Sequence, residues 1–80
     1  MLLSPQPATD VMYVQSTQVT FKQEDSPLVY DVSGKVISVP VWFINANTYK
    51  LDVSNLNAGM YILVINTDKG ITRKKIIIQH

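Results

Sequence analysis

Turn-forming residues recur along this chain about every eight to twelve positions, separated by short runs rich in Val, Ile, Thr and Tyr. That spacing leaves no room for helices of ordinary length and prescribes short strands joined by tight turns, the pattern of an all-β sandwich. The run "TYKLDVS" (48–54) has the clearest period of two, with Tyr49, Leu51 and Val53 facing inward and Lys50 and Asp52 facing water. "MYILVINT" (60–67) is apolar on both faces, as a strand central to a sheet is. "DVSGK" and "DKG" are hairpin turns, with Gly34 and Gly70 as the turn-forming glycines.

The remaining strands follow from the same signals. "DVMYVQS" (10–16) is expected as the first strand, after the stiff "SPQP". "QVTFK" (18–22) alternates, placing Val19 and Phe21 on one face, and ends at the polar "QEDSP". "LVYDV" and "VISV" flank the first hairpin turn. Pro40 makes "VWFI" either a separate short strand or a kinked edge. "ITRKKIIIQ" (71–79) returns beside "MYILVINT". The count is about seven short strands. Within "NLNAG", Leu56 is expected to plug the open end of the sandwich, and Gly59 to let the backbone enter the central strand without a Cβ clash.

Composition excludes whole classes of function. Eighty residues form one domain with a thin stability margin, and 46% hydrophobic content rules out a disordered chain. Seven Lys plus Arg against six Asp plus Glu leave a net charge of +1, too balanced for a protein that holds nucleic acid by neutralising phosphates. No cysteine is present, so disulfides, thiolate metal sites and cysteine nucleophiles are excluded. The apolar runs are far too short for a membrane span, and no signal peptide opens the chain. An export address is therefore expected on a longer precursor, with Met1 readable as an expression start.

Convergent catalytic groups are also missing. The single histidine is His80, and the serines have no histidine partner in the body of the domain. Asp10, Glu24, Asp25, Asp31, Asp52 and Asp68 fall at turns, loops or a wet strand face, and no run has the spacing of a calcium loop. No catalytic residue, metal site or cofactor is expected. The aromatic residues Trp42, Phe43 and Tyr49 allow a binding platform, but strand neighbours point to opposite faces, so the simpler reading is that Trp42 or Phe43 fills the core while the other points away.

Four pieces in order then carry a resemblance: "LSPQPATDVMYVQS", "VYDVSGKVI", "LDVSNLNAGMYILVI" and "TDKGITRKKIIIQ". Together they resemble the C-terminal sorting domain of the type IX secretion system, the Por secretion system of Bacteroidetes. The closest piece is residues 51–64. The chain departs from the family pattern at Gln6 within Pro5-Gln6-Pro7, at Asn57 where Pro is common, at the added His80 and along "SVPVWFINANT". The resemblance implies an immunoglobulin-like antiparallel β-sandwich at the end of a larger secreted precursor. It also implies passage through the periplasm, direction of an N-terminal cargo domain across the outer membrane by the type IX translocon, and removal by a sortase-like surface peptidase. The cut is expected before "SPQP".

The features carried over for sorting are Ala58 and Gly59 and the closing segment, Lys74, Lys75, Ile76, Ile77, Ile78 and Gln79. Arg73 joins them as the first residue of the basic block. The expectation is a composite surface read by the translocon: this strand, its hairpin partner and the Gly59 loop. Edge protection by Lys is the competing use of the basic block. Two other functions compete: a stand-alone carbohydrate-binding or adhesive sandwich with an exposed platform around Trp42 and Tyr49, and a plain spacer.

Overall fold

The computed structural model describes residues 2–4, 10–21 and 26–79. Its strands are β1 (Leu2–Ser4), β2 (Val11–Gln15), β3 (Leu28–Tyr30), β4 (Val36–Ile37), β5 (Val41–Asn45), β6 (Thr48–Asp52), β7 (Gly59–Thr67) and β8 (Gly70–Ile78). They form two four-stranded antiparallel sheets, ordered β1-β2-β6-β5 and β4-β3-β7-β8. This is the constant-type immunoglobulin arrangement of four strands against three, with one short strand added beside the third. The described residues thus hold eight strands, close to the count expected.

Alternation builds the core between the sheets. Met12 and Val14 from β2, Tyr49 and Leu51 from β6, Val29 from β3, Leu63 and Ile65 from β7, and Ile76 and Ile78 from β8 are all sealed from solvent. Val53, just past β6, joins them, so the inward set read from "TYKLDVS" is the set found. The Tyr49 ring packs against Phe21 in a tilted contact and against Phe43 edge to face, with ring centroids 5.1 Å and 5.6 Å apart. Such pairs add about 0.5–1.5 kcal/mol beyond the area they bury.

One buried tyrosine ties the fold to its class. Tyr61 of β7 donates its hydroxyl proton to the Asn57 carbonyl at 2.7 Å, back across the bend that leads into the strand. A tyrosine at this corner, bonded to backbone a few residues upstream, is a hallmark of immunoglobulin-like sandwiches. Leu63, two residues on, stands where antibody domains place a disulfide cysteine, and fills that space with an apolar side chain.

Two expectations need correction, and one open alternative is settled. "QVTFK" is not a strand: Ser16 Oγ accepts from the N–H groups of Gln18 and Val19 at 3.2 Å and 3.3 Å, which curls the backbone away from a ladder. The segment crosses between the sheets instead, with Phe21 making only an isolated bridge to Thr67. Its burial was read correctly, since Phe21 is in the core and Val19 packs on it. "DVMYVQS" is the second strand, because Leu2–Ser4 pairs ahead of it. "VWFI" is an edge strand with a register shift between Phe43 and Asn45. Pro40, which has no N–H to give, accepts from Asp52 N at 3.0 Å. The "SPQP" turn beyond Ser4, the stretch 22–25 with Glu24 and Asp25, and His80 lie outside the described residues.

Candidate functional site

The β7–β8 hairpin carries every residue expected to matter for recognition except Ala58 and Gln79, which adjoin its open end. Each strand is nine residues long, and the register runs unbroken from Gly59 opposite Ile78 to Thr67 opposite Gly70. The closed end turns through Asp68 and Lys69, where Thr67 Oγ1 donates to the Gly70 carbonyl at 2.9 Å and accepts from Lys69 N at 3.1 Å. Gly70 at φ +110° and Gly34 at φ +89° occupy backbone positions that side chains resist.

At the open end the chain is fixed from several sides. Leu56 is buried and donates its N–H to the Val53 carbonyl at 3.1 Å, plugging the sandwich as expected. At Gly59 a φ of +152° favours glycine, because a Cβ there crowds the adjoining backbone; atoms farther along the chain leave space, with nothing within 4 Å. Because Gly59 lies opposite Ile78, the Ala58-Gly59 pair and the Ile78-Gln79 end form one patch, although they are distant in sequence.

β8 is an edge strand, paired with β7 on one side and with no other strand of the described residues. Its side chains divide by alternation. Thr72, Lys74, Ile76 and Ile78 share the core face, opposite Ile65, Leu63, Tyr61 and Gly59. Ile71, Arg73, Lys75 and Ile77 share the outer face. Ile76 and Ile78 anchor the strand, whereas Ile77 is exposed on the outside. The basic block therefore projects in two directions, and Lys74 is exposed even on the core-facing side.

Two turn aspartates stiffen the surroundings. Asp31 Oδ1 accepts from the Ser33 hydroxyl at 2.6 Å and from the N–H groups of Ser33 and Lys35 at 2.9 Å and 3.0 Å. Asp52 Oδ1 accepts from the Ser54 hydroxyl at 2.6 Å and from Ser54 N at 3.0 Å. The serine hydroxyl is the main reason each carboxyl titrates below the ordinary aspartate value, because bonds to the ionised form favour it. Among the described residues no three His, Cys, Asp or Glu side chains converge on a metal position. No helix there is long and apolar enough to cross a membrane.

The aromatic platform is dismantled by alternation. Tyr49 is fully buried, while Trp42, paired with Lys50 across β5 and β6, stands 46% exposed on the outer face, with Lys50 Nζ 5.3 Å from the ring centre. Phe43 turns inward onto Tyr49. Sequence reasoning missed a second surface, the outer face of β3 and β7. Its signal is the two-sided apolar run of "MYILVINT", which centrality in the sheet alone also explains.

Fold and surface together define a small immunoglobulin-like domain with a basic hairpin formed by β7 and β8. The chain belongs to the secretion system C-terminal sorting domain family, whose model matches residues 3–79. Nothing among curated proteins or solved structures matches the chain. It is a C-terminal sorting signal of the type IX secretion system, serving a protein that crosses the outer membrane and is secreted or displayed at the cell surface. Its counterparts are the type IX machinery and the cargo of its own precursor, and a sorting signal is not itself a catalyst.

Proposed function

We propose that the translocon reads this domain through one composite patch: β8 with Arg73, Lys74 and Lys75, the anchoring Ile76 and Ile78, the exposed Ile77, Gln79, and the Ala58-Gly59 bend. The observation that carries the reading is the Gly59–Ile78 pairing, which joins the two sequence features carried over for sorting into one surface. The long hairpin gives a partner one fixed surface to read, and its cations set which partner is accepted. The 80-residue chain is then one domain cut from a larger precursor, contributes no chemistry, and leaves its cargo to a sortase-like surface peptidase acting upstream.

The test is a reporter fused ahead of this domain in a type IX-competent host. Deleting residues 76–80 is expected to abolish export, and the triple change of Arg73, Lys74 and Lys75 to Ser to reduce it while the domain stays folded. Normal export of the truncated fusion removes the terminal strand from the mechanism.

A further inference from the structure

The outer face of the second sheet is apolar where a two-layer sandwich needs it polar. Antiparallel sheets with one face in water alternate apolar-in and polar-out. β7 breaks this rule: Ile62 and Val64 point away from the core, and cross-strand pairing sets Leu28 beside Val64 and Tyr30 beside Ile62. With Ile71 of β8 they line an open groove of about 650 Å³. Leu28 is 45% exposed and Ile71 61% exposed. A contiguous apolar patch of this kind marks an interaction surface.

Charge selects the occupant. From β8, Arg73 lines the groove opposite Val64, and Lys75, opposite Ile62, follows on the same outer face, so the charge on the β8 side is basic. At the other rim, Lys35 offsets Asp31, whose Oδ1 is already committed to its own turn. We propose that this groove docks an extended segment of another protein in which apolar residues alternate with acidic ones, the apolar row on Ile62, Val64 and Leu28 and the carboxylates on the Arg73 side. A second copy of this chain fits less well, because it brings the same cations to the seam. A bilayer fits less well too, since the apolar side chains floor a groove rather than protrude. The groove shares Arg73 with the patch proposed for sorting, but its floor on Leu28, Ile62 and Val64 does not belong to that patch, and its test reads peptide binding rather than export.

The experiment uses the intact chain and two short synthetic peptides, one alternating Glu with Val and Ile, the other alternating Lys with the same residues. The Glu peptide is expected to shift the amide resonances of Leu28, Ile62, Val64 and Ile71, and the Lys peptide to bind more weakly. Arg73→Glu is expected to lower affinity for the Glu peptide on the order of tenfold and to favour the Lys peptide. Ile71→Ser, at an exposed position, is expected to weaken both without changing the fold. Equal binding of the two peptides overturns the proposal, as do shifts confined to other surfaces. So do groove shifts produced only by anionic phosphatidylglycerol vesicles, or only by raising the protein concentration.

Discussion

Asp31 shows how much one side chain does in a chain without disulfides. Its carboxylate gathers the Ser33 hydroxyl and two backbone N–H groups, and so holds the β3–β4 turn in the shape that Gly34 permits. These bonds, the Ser33 hydroxyl first, lower its pKa below the ordinary 3.8. Since the folded-state value lies below the unfolded one, the contribution is complete above about pH 4 and disappears as pH falls through the lowered value. The stability difference between the wild type and Asp31→Asn should therefore shrink on acidification. Following the Asp31 carboxyl carbon by NMR checks this, and a midpoint at or above 3.8 contradicts it. Tyr61→Phe tests the corner in the same spirit. It keeps the buried ring, loses the bond to the Asn57 carbonyl, and should lower stability by about 1 kcal/mol with an unchanged denaturant slope.

At the scale of elements, β8 is an edge with a conflict to resolve. It is the longest of the four sheet edges, nine residues against three, five and two for β1, β5 and β4. A long apolar edge invites pairing with other chains, and an inward-pointing charge is a recognised guard. Lys74 sits on the core-facing side opposite Leu63, in the place of such a guard. Lys74→Val should promote self-association, visible as a heavier species in sedimentation at raised concentration. If export is unaffected in the same variant, Lys74 guards the edge and takes no part in recognition. Alternation made the strand faces legible: "TYKLDVS" showed its inward row because one face is dry and the other wet. It misled at "QVTFK", where the same alternation belongs to a crossing segment whose backbone bonds to Ser16 Oγ. The joining of Gly59 to Ile78 was not legible, because cross-strand register depends on a turn whose geometry only the folded chain fixes. The outer groove was hidden for a simpler reason: two-sided apolarity does not say whether the second face is covered by the chain itself or by something else.

Across the whole molecule, residues 16–21 do the work that a disulfide does in other small sandwiches. On one side, Ser16 N donates to the Asn47 carbonyl at 3.1 Å, Phe21 N to the Ala46 carbonyl at 2.7 Å, and Asn47 Nδ2 to the Ser16 and Val19 carbonyls at 2.8 Å and 3.3 Å. On the other, Thr20 N donates to Asp68 Oδ1 at 3.0 Å, and Asp68 N returns a bond to the Thr20 carbonyl at 3.2 Å. The segment therefore fastens the β5–β6 turn of one sheet to the β7–β8 turn of the other, with the Phe21 ring driven into the core between them. A domain of this size draws only about 3–5 kcal/mol from its core, and truncating a buried aromatic costs about the same. Phe21→Ala should consequently unfold most of the population at ambient temperature. Asn47→Ala, which removes the two side-chain bonds but spares the ring, should cost about 1–3 kcal/mol and leave a folded domain with a lower melting temperature. Circular dichroism melts of the two variants separate these outcomes. A Phe21→Ala protein as stable as the wild type would mean that the sheets are held together without this crossing.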